Sequence, residues 1–136
     1  MSEKKMYSML VFSNHTEGME KVYNEWYAGQ HIFDLLRIPG FIGCRFYKLA
    51  GVQLSADMER KHKYLMIWDI ETDDIEAVDR DIKARMRDGR TVMSDSFDMS
   101  YADYMIVPIT KYVTAEEIDG KSVEEVLTIS ELDYEK

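Results

Sequence analysis

Four short β-prone runs and two amphipathic helical stretches, ordered strand, helix, strand, strand, helix, strand, predict an α+β fold. The order itself is the first observation: it is the split βαβ arrangement of a ferredoxin-like βαββαβ sandwich with an antiparallel four-stranded sheet. The second is length, since 136 residues suffice for one domain with a substantial core. The third is that the strands carry large apolar groups at successive positions, so both faces of the sheet are apolar although two helices cover only one.

Met6 to Phe12 (M-Y-S-M-L-V-F) is short, β-prone and nearly all apolar, which fits a strand covered on both faces. From Glu17 the apolar positions Met19, Val22, Tyr23, Trp26 and Tyr27 trace one helical face. Thr16 is the expected N-cap, Glu17 and Glu20 suit the helix dipole, and Gly29 is the expected stop. A further short turn of helix is expected over Ile32 to Leu36, because Pro39-Gly40 forbids continuation and drives Ile38 towards an extended conformation. Phe41 to Leu49 follows as a strand, the polar Gly51 to Lys63 as a long hairpin connection, and Tyr64 to Ile70 as the third strand. Asp73 with Glu76 resembles a capping box, Ile75, Val78, Ile82 and Met86 mark the inner face of a second helix, and Gly89 can end it. Thr91 to Tyr101 has little periodicity. The last strand is expected over Tyr104 to Tyr112, where Pro108 argues for an edge or a bulge. Thr114 with Glu117 and Ser122 with Glu125 can each start a short helix beyond it.

The formal charge of -9 is unevenly placed: from Val113 onward eight acidic residues stand against Lys121 and Lys136. Residues 1–112 are therefore expected to form the folded domain and 113–136 an acidic C-terminal extension. The domain is only mildly acidic and has no basic stripe, which makes nucleic acid and anionic membrane poor partners by Coulomb repulsion. A single cysteine, Cys44, cannot close an internal disulfide, and no charged-then-apolar leader precedes Met6, so a cytoplasmic location is expected. The apolar runs are well below the roughly 18 residues of a membrane span. At about 25 cal/mol per Å², a whole apolar sheet face left in water would forfeit several kcal/mol. The economical cover is the same face of a second copy, and a two-fold homodimer through the sheet faces is expected.

Between Val22 and Gly43 the chain reads V-Y-N-E-W-Y-A-G-Q-H-I-F-D-L-L-R-I-P-G-F-I-G. The N-E-W-Y-A-G-Q-H-I run at Asn24 to Ile32, the I-P-G-F step at Ile38 to Phe41, the aromatic third strand and the element order together resemble the dimeric α/β-barrel superfamily, in particular its EthD-like members. The resemblance covers about residues 6 to 112 and implies that the sandwich pairs into a dimeric barrel. The superfamily includes polyketide cyclases, lactone isomerases, cofactor-independent and haem-degrading monooxygenases, and proteins without known activity, so it does not choose a reaction. The haem-degrading branch fits worst, because its pattern places a histidine on the second helix and Asp74 to Gly89 holds none.

His31 follows Tyr27 by four residues, on the same side of a helix that runs that far, and just after a glycine that can open a path for a ligand. It is the candidate general acid/base, with Tyr27 orienting it; the bland alternative is a helix C-terminal histidine bonded to a carbonyl. Trp26, Phe46, Trp68 and Tyr104 are candidate walls of a pocket for a flat ligand, with Trp68 and Tyr104 assigned to the sheet face that the helices leave free. Arg45 is a candidate partner for a substrate carboxylate or enolate. Asp69 should face away from Trp68 as a structural acceptor. His15 and His62 sit in polar surroundings and are weaker candidates, and no histidine pair has metal-ligand spacing. Nothing resembles a nucleophile elbow, a phosphate loop or a cysteine-histidine pair. The expected function is that of a cofactor-independent enzyme acting on a small cyclic, aromatic or polyketide-like compound by proton transfer, of cyclase, isomerase, lyase or monooxygenase type. The alternative is a non-catalytic small-molecule-binding or accessory protein of the EthD-like type. Neither metal nor cofactor is expected.

Overall fold

The helical run after the first strand does not stop at Gly29. In the computed structural model, which describes residues 3–135, it proceeds from α1 (Glu20–Trp26) through a widened π-helical turn (Tyr27–His31) into α2 (Ile32–Leu35). The strands are β1 (Lys5–Ser13), β2 (Phe41–Lys48), β3 (Tyr64–Thr72) and β4 (Ala102–Ile106), and α3 (Ile75–Asp88) joins β3 to β4. All pairings are antiparallel and the sheet order is β2-β3-β1-β4, so the expected ferredoxin-like α+β sandwich is what the chain forms.

Pairing register separates the two faces of the sheet. Cys44, Trp68, Met9 and Met105 lie in one row across the four strands, and Arg45, Ile67, Leu10 and Tyr104 in the next. Because side chains alternate along a strand, neighbouring rows belong to opposite faces. Met66, Trp68 and Ile70 are wholly buried, and they pack in one cluster with Tyr23, Tyr27 and Leu35 from the helical run and Val78 from α3. On the other face Leu10, Phe12, Leu65, Ile67, Tyr104 and Ile106 are none of them buried in the single chain. Asp69 lies on that face too and accepts from the Ser8 hydroxyl at 2.8 Å, the structural role expected of it.

Local chemistry moves several boundaries. Thr16 does not cap α1: its hydroxyl donates to the Asp95 carbonyl (2.7 Å) and its N–H to Ser96 (2.7 Å), so the helix begins only after the Gly18 turn. The cap of α3 is Asp74 rather than Asp73, since the Thr72 hydroxyl accepts from Asp74 N–H (3.0 Å) and turns the Asp74 carboxylate onto Ala77 N–H (3.1 Å). Gly89 ends α3 in the left-handed conformation, at φ 84°. The last strand is Ala102–Ile106, not Tyr104–Tyr112; Pro108 has no N–H to donate, and the ladder stops before it at the sheet edge.

The chain divides into two compact units, Met1–Ile106 and Val107–Lys136. The second holds α4 (Ala115–Ile118) and α5 (Val123–Ser130), each opened by the capping box expected at Thr114/Glu117 and Ser122/Glu125. Lys111 N–H donates to Ser130 (3.0 Å) and Asp133 N–H to Ile109 (2.8 Å), which brings the two ends of this unit together. Lys136, counted in the tail's charge, lies outside the described residues. No helix among the described residues is long and apolar enough to cross a membrane.

The Pro39-Gly40 step sets the entry to β2. Gly40 sits at φ 103°, accepts from Glu71 N–H (2.8 Å), and leaves no room for a side chain, because an added Cβ would lie 3.2 Å from Val78 Cγ2 and 3.6 Å from Ile70 Cγ2. Gly40→Ala is expected to destabilise the fold by about 1–3 kcal/mol, through the disfavoured φ together with the crowding, as measured by urea unfolding.

Candidate functional site

A helix of ordinary pitch places residues five apart on different sides. The widened turn changes that. Ile32 N–H reaches the Tyr27 carbonyl five residues back, and the His31 ring lies flat on Trp26, with centroids 4.6 Å apart and planes at 29°. The Tyr27 ring meets His31 edge-on at 4.9 Å, and Trp68 of β3 meets it edge-on at 5.7 Å. Such single π turns inside α-helices occur often at functional sites. The bland reading of His31 as a terminal, carbonyl-bonded histidine is not what is found: it sits within a continuous helical run, and its Nδ1 has no hydrogen-bond partner.

Three buried side-chain polar atoms among the described residues lack a partner, and they belong to adjoining rings: Tyr27 Oη, His31 Nδ1 and Trp68 Nε1. All three residues line one cavity of about 570 Å³. Its walls come from the sheet (Met9, Val11, Met105), the helical run (Leu35), α3 (Ile82, Met86) and the segment after α3 (Met93, Phe97, Met99). That is the size and make-up of a small-molecule pocket, apolar with a few polar groups. A hollow of about 620 Å³ near the β2–β3 connection, lined by Phe12, Lys48, Arg60 and His62 among others, contains none of the three unpartnered atoms.

Burial governs the electrostatics of this floor. Desolvation pushes the His31 pKa down to about 4 against a weaker upward pull from Asp34, so the imidazole is neutral at pH 7. Desolvation also raises the Tyr27 phenol far above its ordinary range, with Tyr23 and Cys44 adding to the effect, and it stays protonated. Trp68 contributes an N–H that can only donate.

The sequence candidates separate into three groups. Tyr27, His31 and Trp68 line the cavity, whereas Tyr104 only borders it between Asp103 and Met105, since its side chain lies in the row of Leu10 and Ile67 on the free sheet face, as expected. Trp26 and Phe46 support it from behind, Trp26 stacked on His31 and Phe46 on Tyr27 at 4.2 Å. Arg45 lies in the row of Ile67 and Leu10 on the opposite sheet face and does not reach the cavity. The placement of Trp68 is also corrected: it is wholly buried on the face that the helices cover, and the cavity lies on that side. His15 Nδ1 bonds the Thr16 carbonyl (2.9 Å) and His62 Nε2 the Ser100 carbonyl (3.1 Å); neither lines the cavity.

Two contributions escaped the sequence reading. The aperiodic segment from Thr91 to Tyr101 lines the cavity through Thr91, Met93, Phe97, Met99 and Tyr101. Its apolar side chains, in a stretch with neither helical nor strand period, were the available signal. Asp34, buried in α2, accepts from Val92 N–H (2.9 Å) and from the Gln30 amide (2.9 and 3.0 Å), while Trp26 Nε1 donates to the Val92 carbonyl (2.9 Å). Both backbone groups of Val92 are thus tied to the helical run that carries His31, and this fixes the cavity wall.

A histidine held at about pKa 4 rather than 6.5 makes stability pH-dependent. The unfolded chain binds a proton that the folded chain refuses, so this contribution is lost as pH falls from about 6.5 to 4, by about 3 kcal/mol in full. His31→Gln is expected to flatten that part of the profile, read as Tm between pH 7.5 and 4.5 in both proteins.

No family model matches the chain, and no curated protein matches it. Solved structures do match. An EthD-like protein from Ralstonia eutropha has 13% identity over 79% of this chain and 96% of its own, with a TM-score of 0.57. A NIPSNAP family protein from Agrobacterium tumefaciens has 14% identity over 81% and 98%, with a TM-score of 0.53. A DABB family protein with a ferredoxin-like fold from Mesorhizobium loti has 15% identity over 76% and 97%, with a TM-score of 0.51. At such identities it is the backbone arrangement that is common to them, and the chain has the ferredoxin-like fold.

Proposed function

We propose that the chain binds a flat, mainly apolar small molecule in the cavity between the helical run and the sheet, and moves a proton on it through His31. The observation that carries this reading is that three buried polar atoms without partners belong to three residues that line one cavity. A buried polar group without a partner costs about 1–3 kcal/mol, so three in residues lining one cavity favour a ligand that completes them.

In this reading Tyr27 and Trp68 donate to an oxygen of the ligand, and neutral His31 accepts a proton from an adjacent carbon or hydroxyl. Charge develops on the oxygen as the proton leaves, and fixed donors in a dry site stabilise that charge. The imidazolium then returns the proton at another position or to the same atom. Cyclisation, isomerisation, elimination and oxygenation of an activated phenol all begin with such a step, and EthD-like proteins share the fold. A panel of cyclic ketones and phenols screened for turnover tests this. His31→Gln should lower turnover of any substrate found by about 10²- to 10⁴-fold, and a loss below about threefold would remove His31 from the chemistry.

One observation favours a second reading, a binding or accessory protein without turnover. An imidazole with a pKa of about 4 is a weak base at neutral pH. Tight binding with no chemical change over many hours, in wild type and His31→Gln alike, would decide for it.

We also propose that the exposed apolar sheet face pairs with that of a second copy, with Leu10, Phe12, Leu65, Ile67 and Tyr104 at the contact and Arg45 at its margin. These residues occupy one face and none is buried in the single chain, which supports the pairing. Light scattering at micromolar concentration should give twice 16.0 kDa. Ile67→Asp should give single chains, and a wild type that already runs as one chain would end the proposal.

A further inference from the structure

The floor of the cavity is unbalanced in hydrogen-bonding capacity. Trp68 Nε1–H donates and never accepts, and Tyr27, wholly buried and protonated, has a hydroxyl proton with nowhere to go. His31, neutral, offers one donor and one acceptor and so meets either kind of partner. No cation lies at this end: Lys83 and Arg87 of α3 line the cavity but are exposed, and Lys83 is paired with Asp79 at 2.9 Å. The buried carboxylate nearest His31 in sequence, Asp34, adds negative potential there. An anion would be poorly solvated in such surroundings, and an amine or ammonium would bring more donors to a wall already in excess of them.

Resting on the reading of this cavity as a ligand site, we infer that its ligand is a planar apolar ring system bearing a neutral carbonyl, whose oxygen accepts from Tyr27 Oη–H and Trp68 Nε1–H at the buried end. The rest of the wall is less selective. Met86, Met93, Met99 and Met105 stand on the cavity wall with Met9, and unbranched thioether chains repack around rings of different outline. The oxygen is therefore the fixed element of recognition and the ring size the variable one. A pocket that hydrogen-bonds one ligand atom rejects an isostere lacking it more strongly than a hydrophobic wall rejects an extra methylene.

Titration of the full-length protein with 2-acetylnaphthalene, 2-ethylnaphthalene and 2-naphthylamine separates the possibilities, because the three differ in the polar group and little in shape. The ketone should bind at least about tenfold more tightly than either analogue. The chain has two tryptophans, so two indole N–H signals report in a nitrogen-proton correlation spectrum. The Trp68 signal should move downfield with the ketone alone, while the Trp26 signal, already bonded to Val92, should keep its place. Tyr27→Phe should lower the preference for the ketone severalfold without unfolding the chain, and Trp68→Phe should abolish the indole shift. Equal affinity for all three naphthalenes, each displacing cavity resonances, would overturn the carbonyl inference and leave the ligand site standing. Failure of all three to bind or to move any cavity resonance would overturn the ligand site, and the inference with it.

Discussion

One local departure from regular helix geometry supports the rest of the site. If Tyr27–His31 kept ordinary pitch, His31 and Trp26 would point in different directions. In the widened turn the imidazole lies on the Trp26 indole and is pressed between Tyr27 and Trp68. Its desolvation, its neutral state and the absence of a partner for Nδ1 all follow from that position. Gly29, inside the turn, has neither a positive φ nor anything within 4 Å of where a Cβ would stand, so neither backbone conformation nor crowding requires glycine there.

The aromatic packing behind the turn gives it a rigid base. Tyr23, Tyr27, Phe46 and Tyr64 contact one another in sequence, and the Tyr23 hydroxyl is satisfied by Ser13 Oγ at 2.6 Å. Burial lifts the Tyr23 pKa to about 12, above the weaker opposing effect of that hydrogen bond. Tyr23 and Tyr27 are thus both buried phenols, yet of the two only Tyr27, a residue of the cavity lining, has an unpartnered hydroxyl. Asp34 and Trp26 complete the enclosure by holding Val92 from both its N–H and its carbonyl.

The two faces of the sheet have separate chemistry. Met66, Trp68 and Ile70 are consumed by the core and the cavity, whereas Leu10, Leu65 and Ile67 offer a continuous apolar surface. Alternation along β3 makes this division unavoidable: no residue of that strand can serve both the cavity and the outer surface. Arg45 and Trp68, grouped together as pocket candidates from their chemistry, are parted for this reason.

The amino-acid sequence by itself determined the element order, the ferredoxin-like class, the breaks at Pro39-Gly40 and Gly89 and both capping boxes of the acidic tail, and it offered His31, Tyr27 and Trp68 as candidates, which the fold gathers along one cavity. Those follow from short-range rules: periodicity, backbone freedom and the reach of one side chain to a nearby N–H. Tertiary structure alone decided the widened turn, the face on which Trp68 lies, the exclusion of Arg45 and the enlistment of Thr91–Tyr101 and Asp34. The face of Trp68 and the exclusion of Arg45 depend on which strand lies beside which, and in what register. A shift of one residue in pairing reverses every side chain of a strand, and no local pattern encodes that choice.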